Sequence, residues 1–456
     1  MELRGKRVLI MGLGLHGSGI ASARYAAQQG AYVRVTDLRS TEVLAPSIAA
    51  LASLPIEYIL GQHREEDFQW AEIVLRVPGV KRTSPYLRIT REHGAQIEQE
   101  IALFFSACPG RIIGVTGTRG KTTTSTLLYE LLKATSQPTV LGGNVSGVET
   151  LSLLPTITPQ TQVVLELSSW QLEALEPHRM SPSAAILTNI YPDHLDTYDG
   201  MEDYAAAKAN IFRHQQPNDL AVFNYDNTWT RRMGAEAPAT RTWFTSLARD
   251  GSFPRGHDEQ FVPNIFHETP LRGTHNAENI LLATTLARLL GIDDATIARV
   301  VREFRGVAHR LQEIAVIDGV TYINDTTSTT PVAGVAALQA FAGPIVLVAG
   351  GNTKHLPLAD WPAAIVQRCR DVVLLKGNGT DELMPSIEEE VRVQGRPNPL
   401  RGVYDQFTAG MDQAVALTQS GDTLLFSPGF TSFGMFLNEF DRGDQFVAYV
   451  QGLAAR

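Results

Sequence analysis

Short apolar runs that end in glycine or proline recur along the chain, and each leads into a stretch with helical spacing. They are RVLIMG (7–12), YVRVTD (32–37), EIVLRVPG (72–79), RIIGVTG (111–117), VVLELS (163–168), AILTNI (185–190), PIVLVAGG (344–351), DVVLLKG (371–377) and TLLFSPG (423–429). Runs rich in β-branched residues and leucine, with no polar alternation, predict parallel strands buried on both faces. Strands alternating with helices predict βαβ units and an α/β fold. The runs fall in three clusters, 1–98, 111–224 and 315–430. Between 225 and 272 the chain is richer in Gly, Pro, Arg and Asp, and irregular or small antiparallel structure is expected there. NAENILLATTLARLLG (276–291) has helical spacing and leads into FRGVAHRLQ (304–312). These breaks predict three domains, 1–99, 100–306 and 307–456. No short tandem repeat or low-complexity tract interrupts them.

Composition narrows the function classes. With 456 residues, 44 % of them hydrophobic, the chain can bury several cores. Its 48 acids outnumber 39 bases, a net charge of −9, which argues against sequence-independent nucleic-acid binding. Cys108 and Cys369 are the sole cysteines and exclude a disulfide framework or a cysteine-rich metal site. The N-terminal apolar run is cut by glycines and is not a secretory signal. No run reaches the roughly 18 apolar residues of a membrane span. A soluble cytoplasmic protein, with no membrane or nucleic-acid partner, is the expectation.

The chemistry starts at GTRGKTT (117–123), between the strand RIIGVT and a helical pattern with Leu127, Leu128, Leu131 and Leu132. A strand, a glycine loop and a helix N-terminus together make an anion site. Its backbone amides cradle phosphates, Lys121 reaches the terminal phosphates, and Thr122 can ligate Mg²⁺. The full G-x-x-x-x-G-K-T spacing fails at Val115; the shorter G-x-x-G-K-T-T remains. A second glycine turn, GLGLHG (12–17), follows the first strand, and Asp37 ends the second. This is the dinucleotide fingerprint, and alone it leaves open which nucleotide binds. Glu166 lies inside an apolar strand, where an unpaired charge costs several kcal/mol. Strand-end acids beside a phosphate loop hold Mg²⁺, and His194 in NIYPDHLD is either a further ligand or a hydrogen-bonded turn residue. Lys208, in YAAAKANIF, reads from spacing alone as a solvated helix lysine. Asn276 and Asn279 lie about one helical turn apart, suited to a planar ring edge. Arg310 and Lys354 could each clamp a phosphate or carboxylate.

Together, VTGTRGKTT (115–123), LGGN (141–144), LELSSWQLE (165–173), TNIYPDHLD (188–196), HNAEN (275–279), AHR (308–310) and IND (323–325) resemble the motifs of the Mur ligase family. SP (427–428) and RGDQF (442–446) extend the likeness to nearly the whole chain. The resemblance implies an N-terminal Rossmann-like domain for a uridine nucleotide, a central P-loop-type ATPase domain and a C-terminal Rossmann-like domain. It implies that ATP is the phosphoryl donor, with two Mg²⁺ sites, and that glutamate joins UDP-N-acetylmuramoyl-L-alanine through an acyl phosphate in a monomeric enzyme. Leu15, His16, Asp37, Arg39, Asn144, Ser168, Gln171 and His194 would then face the uridine substrate. Gly117, Thr118, Arg119, Gly120, Lys121, Thr122, Thr123, Asn276, Asn279, Arg310 and Asp325 would face ATP. Thr122, Glu166, His194 and Lys208 would face the metals, with Lys208 at the position the family carbamylates. Lys121, His194 and Lys208 would carry the catalysis.

The departures from the family pattern gather at the amino-acid site, expected around Thr329, Lys354, Ser432 and Phe433. DTTSTT (325–330) stands where D-glutamate enzymes read D-S-K-A-T-N, so Thr327 replaces a lysine and Thr330 an asparagine. Phe433 and Gly434 replace leucine and aspartate, and Arg119 replaces an asparagine in the phosphate loop. D-glutamate is the expected substrate. A less common branch, which adds L-glutamate ahead of an epimerase, shares these features. A folylpolyglutamate or cyanophycin-type ligase lacks the uridine domain. An NAD-dependent oxidoreductase leaves the Lys121 loop unexplained. A non-catalytic nucleotide sensor is expected to have lost Lys121, Glu166 or His194.

Overall fold

The computed structural model describes residues 1–14, 17–145, 148–195, 197–239, 241–249, 251–255, 269–271, 273–353, 356–432 and 434–454. They form three α/β sheets. The first comprises β1 (Arg7–Met11), β2 (Tyr32–Asp37), β3 (Ile56–Leu60), β4 (Ile73–Arg76) and β5 (Gln96–Glu98), in the order β3-β2-β1-β4-β5. All its pairings are parallel. Strand order reverses between β1 and β4, so ligands are expected in the crevice where these two strands end. That crevice receives the glycine turn after β1 and the loop after β4.

The second sheet comprises β6 (Arg111–Thr116), β7 (Thr139–Gly143), β8 (Gln162–Glu166), β9 (Ala184–Leu187), β10 (Leu220–Asn224), β11 (Arg241–Ser246) and β12 (Gly251–Pro254). Its order is β12-β11-β10-β9-β6-β8-β7, parallel except for β12 against β11. The stretch 225–272 is therefore only partly the antiparallel structure expected. β11 extends the parallel sheet, and only β12 folds back. RTWFTS has only two apolar residues, Trp243 and Phe244, side by side, which hid it from a search for continuous apolar runs. Residues 256–268 lie outside the described residues. AILTNI is also shorter as a strand than its sequence suggests. β9 stops at Leu187, and Thr188 and Asn189 turn toward the phosphate loop.

By their contacts, residues 1–270 and 274–304 form one compact unit. One apolar core runs from Val8, Ile10 and Val35 under the first sheet to Val163, Leu187 and Phe223 under the second. The helices Ser18–Gln28 and Glu100–Ala107 and the 3₁₀ segment Thr150–Thr156 join the two sheets through that core.

Residues 305–456 with 271–273 form the other unit. Its sheet comprises β13 (Gln312–Ile317), β14 (Val320–Asn324), β15 (Ile345–Gly350), β16 (Cys369–Leu375), β17 (Leu400–Tyr404) and β18 (Thr423–Phe426). The order is β13-β14-β18-β15-β16-β17, with β13 an antiparallel edge. Val346, Leu347, Leu424 and Leu425 are fully buried, and Trp361 and Phe446 are fully buried among the clusters around this sheet. No helix among the described residues is long and apolar enough to cross a membrane.

Candidate active site

The phosphate loop sits where β6 ends. Gly117 has φ of 151° and Gly120 of 80°, backbone conformations that favour glycine. A methyl on Gly120 would lie 2.2 Å from Asn279 Oδ1, so the helix Thr274–Leu289 packs directly against the loop. Asn276 stands half-buried one turn earlier on that helix. The turn after β9 braces the loop from the other side. Thr118 N donates to Asn189 O (2.8 Å), Arg119 N to Asn189 Oδ1 (2.9 Å), and Thr188 Oγ1 to Arg119 O (2.6 Å). Thr122 and the buried Thr123 open the helix Lys121–Lys133. No side chain among the described residues caps that helix N-terminus, and a helix N-terminus suits an anion.

Two amines converge on this loop. Lys121 Nζ donates to Gly117 O and Thr118 O, each at 3.1 Å. Lys208 Nζ donates to the same Gly117 O at 2.9 Å. Lys208 is 2 % exposed, so it is not the solvated helix lysine that spacing suggests. Burial, then the charge of Lys121, drives its pKa well below the ordinary lysine value; Asp193 and Glu166 pull the other way. Its side chain also lies 4.9 Å from the Tyr204 ring.

Glu166 ends β8 beside this cluster. Its Oε1 accepts from Asn144 Nδ2 at 2.9 Å, while Oε2 is buried with no hydrogen-bond partner among the described residues. An orphaned carboxylate oxygen fits a cation. Among the described residues no three His, Cys, Asp or Glu converge as a metal cage. A phosphate-bound Mg²⁺ needs none, since one or two carboxylates plus phosphate oxygens suffice. His194 has φ of 53°, an uncommon backbone for a non-glycine residue. Its ring centroid lies 4.8 Å from Trp170 and 6.3 Å from Tyr204.

Several residues expected to face the uridine substrate hold the scaffold. Asp37 Oδ2 accepts from Leu13 N (2.9 Å) and Gly14 N (3.0 Å), and Oδ1 from Arg39 N (2.9 Å). Its carboxylate thus fixes the glycine turn. Ser168 and Gln171 form a capping box on the short helix Ser169–Glu173. Leu15 and His16 lie outside the described residues.

Sequence reasoning missed the loop after β4. With His194, Trp170, Glu173 and Thr197, the stretch Pro78–Arg82 and Arg76 line a cavity of about 150 Å³. The missed signal was Arg76, a cation at the end of an apolar strand. It is the same kind of signal that drew attention to Glu166.

In the second unit, Asp325 is fully buried at the end of β14. Its Oδ2 accepts from Ser328 Oγ (2.5 Å) and Ser427 Oγ (2.7 Å), its Oδ1 from Leu311 N (3.1 Å). Burial pushes its pKa up to about 6 despite these donors. Arg310 is exposed nearby in sequence, flanked by His309 and Leu311 at positive φ. Thr327 Oγ1 donates to His309 O at 2.8 Å, so the residue that replaces a lysine is tied to the backbone. Thr330 caps the helix Pro331–Gln339. Thr329 is half-buried beside it. Ser432 Oγ is buried with no partner among the described residues. Buried Arg442 donates to Thr326 O (2.7 Å) and Phe430 O (3.2 Å), which explains the RGDQF signature as a brace. Lys354 and Phe433 lie outside the described residues.

Comparison with known proteins places this architecture. Three family models match in succession: a Mur ligase MurD-like N-terminal domain over residues 6–99, the Mur ligase middle domain over 115–287, and a Mur ligase glutamate ligase domain over 309–430. The chain belongs to the Mur ligase family. A UDP-N-acetylmuramoylalanine–D-glutamate ligase of Roseiflexus sp. (strain RS-1) is 44 % identical over 99 % of both chains. One of Symbiobacterium thermophilum is 36 % identical over 98 % of both. Among solved structures, UDP-N-acetylmuramate-alanine ligase MurC of Thermotoga maritima aligns with a TM-score of 0.60 at 20 % identity, covering 98 % of this chain and 99 % of that one. MurF of Acinetobacter baumannii aligns at 0.57 and 16 % identity, covering 97 % and 93 %. These two likenesses speak for the fold. A Mur ligase is an ATP-dependent ligase, and the Lys121 loop is in keeping with that chemistry.

Two predictions follow from the local geometry. Gly120→Ala forces a left-handed backbone on alanine and pushes Asn279 away. It should weaken binding of a non-hydrolysable Mg-ATP analogue at least about tenfold, roughly 1.4 kcal/mol, by calorimetry. Asp325 keeps its proton to a higher pH in the fold than in the unfolded chain, where its pKa is about 3.9. The folded state therefore binds more protons between about 4 and 6, and stability falls as pH rises through that window. Asp325→Asn should remove this part of the slope, about 3 kcal/mol across the window, in urea denaturation at a series of pH values.

Proposed function

We propose that this ligase adds D-glutamate to the alanyl carboxylate of UDP-N-acetylmuramoyl-L-alanine, with ATP as the phosphoryl donor. The observation that carries the reading is the convergence of Lys121 and Lys208 on Gly117, beside a strand-end carboxylate with an unpartnered oxygen. The full-length likeness to relatives named for that reaction supports the choice of substrates.

A carboxylate is a poor acyl donor, and activation answers this. The alanyl carboxylate oxygen attacks the γ-phosphorus of ATP, the bond to the ADP oxygen breaks, and an acyl phosphate forms. The glutamate amine then attacks the acyl carbon; the C–O bond to phosphate breaks and the nitrogen loses a proton, leaving an amide and inorganic phosphate. The loop amides and Lys121 would hold the β- and γ-phosphates against the repulsion of the incoming carboxylate. Glu166 and Thr122 would hold one Mg²⁺, with His194 and Lys208 at a second. When bound, Mg²⁺ offsets the phosphate charge. The lowered pKa of Lys208 favours a neutral amine, the form that adds to CO₂ with loss of a proton to give a carbamate. That modification would replace a buried cation with an anionic ligand.

The same reading assigns the uridine nucleotide to residues 1–99, ATP to 100–306 and glutamate to 307–456, in a cytoplasmic monomer. Asp37 and Arg39 would then shape the uridine site, Asn144 and His194 the muramoyl site, and Thr329, Lys354, Ser432 and Phe433 the amino-acid site. Asn276, Asn279, Arg310 and Asp325 would border ATP.

The test is phosphate release from Mg-ATP and UDP-N-acetylmuramoyl-L-alanine with D- or L-glutamate in parallel. Turnover is expected with the D-enantiomer. Turnover with L-glutamate alone would reassign the chain to the epimerase-dependent branch. Lys121→Ala should lower phosphate release by at least about 10³-fold while the uridine nucleotide still raises the melting temperature. Loss of both would overturn the assignment of the two nucleotides to separate sites.

A further inference from the structure

The loop after β4 leaves the first sheet, yet the helices Ser169–Glu173 and Met201–Ala209 hold its arginine. Arg82 Nη2 donates to Asp203 Oδ2 at 2.5 Å, and Nη1 lies 3.7 Å from Glu173 Oε1. The guanidinium stands 5.2 Å from the centre of the Tyr198 ring. Buried Arg76 reaches the same Glu173 at 3.8 Å and donates to Val80 O at 2.9 Å, which fixes the turn of the loop.

Two lines run from these contacts to the phosphate loop. Asp203 lies in the first turn of the helix Met201–Ala209, and Lys208, near the other end, donates to Gly117 O. Such a helix is stiff over its length of about 13 Å, so a shift at Asp203 is passed to Lys208. The second line is aromatic. Tyr198 packs against Tyr204 with ring centres 5.3 Å apart, and Tyr204 Oη lies 3.2 Å from Thr118 Oγ1. Both lines end on the residues that hold the loop in place.

We propose that Arg82 is a positioning residue: its latch on Asp203 sets the helix Met201–Ala209, and through Lys208 and Tyr204 it sets the phosphate loop. The cavity beside His194 has Arg82 in its wall, so whatever occupies that cavity bears on the latch. The inference rests on residues 117–123 being the ATP loop, but not on which acceptor or amino acid is used.

Arg82→Leu and Asp203→Asn should each weaken binding of Mg-AMPPNP about threefold, the range expected of an ion pair about one-third exposed on each side. The double variant should bind no more weakly than either single one. The exchanged pair, Arg82→Asp with Asp203→Arg, should regain most of the affinity. A merely structural pair would lower the melting temperature without this pattern. Unchanged affinity in both single variants, or effects that add in the double one, would overturn the latch. If the unaltered protein did not bind Mg-AMPPNP, the ATP reading would fall. The latch would then be judged by amide hydrogen exchange, which Arg82→Leu should speed across Met201–Ala209; unchanged exchange there would also overturn it.

Discussion

The carbonyl oxygen of Gly117 accepts from two lysine amines, and the loop 117–123 is arranged around that convergence. Two ammonium groups sharing one acceptor repel each other, and one of them is stripped of water. The conflict has two physical resolutions. One amine gives up its proton, which is the direction of the Lys208 shift, or anions arrive to neutralise both. A phosphate chain would do the second, and the carbamate proposed for Lys208 the first. The site is therefore poised for anions before any is bound. The glycines of the loop, the Asn279 side chain behind Gly120 and the bracing by Thr188 and Asn189 all keep one carbonyl in a place where two cations can reach it.

How much of this was legible in the sequence depended on the range of the interactions. The phosphate loop was legible because strand, glycines, lysine and helix lie within one short stretch and their geometry is local. Glu166 was legible because a charge in an apolar strand has to be accounted for. Lys208 was not. Its burial comes from packing of the helix Met201–Ala209 against the short helix Ser169–Glu173 and from its reach to the Gly117 carbonyl, and nothing in YAAAKANIF distinguishes a sunken lysine from a wet one. β11 was missed because only Trp243 and Phe244 of its residues are apolar, too short a run to read as a buried strand. Arg76 carried the same signal as Glu166 but was passed over, and with it went the loop that lines the cavity.

Other expected site residues also make scaffold contacts. Asp37 spends its carboxylate on the amides of Leu13, Gly14 and Arg39. A glycine-rich turn needs such a brace, because glycine backbone loses more entropy on ordering than any other. Ser168 and Gln171 likewise satisfy each other at a helix start. Sequence spacing identifies these as positions that matter. It cannot separate a residue that touches a ligand from one that shapes the surface touching it.

The two buried strand-end carboxylates show where that separation comes from. Asp325 is enclosed by two hydroxyl donors and a backbone amide, and its raised pKa reports that burial outweighs them. Such a carboxylate is already provided for, and it organises the turn between β14 and the segment after β18. Glu166 has one oxygen tied to Asn144 and the other with no donor at all among the described residues. A buried acceptor left in that state costs about 1–3 kcal/mol, more when it is charged. Such a charged acceptor is suited to completion by something outside the chain. Glu166, with the lysines of the phosphate loop beside it, is therefore the acid suited to a cation carried in with a phosphate, while Asp325 is the acid that holds its own loop together.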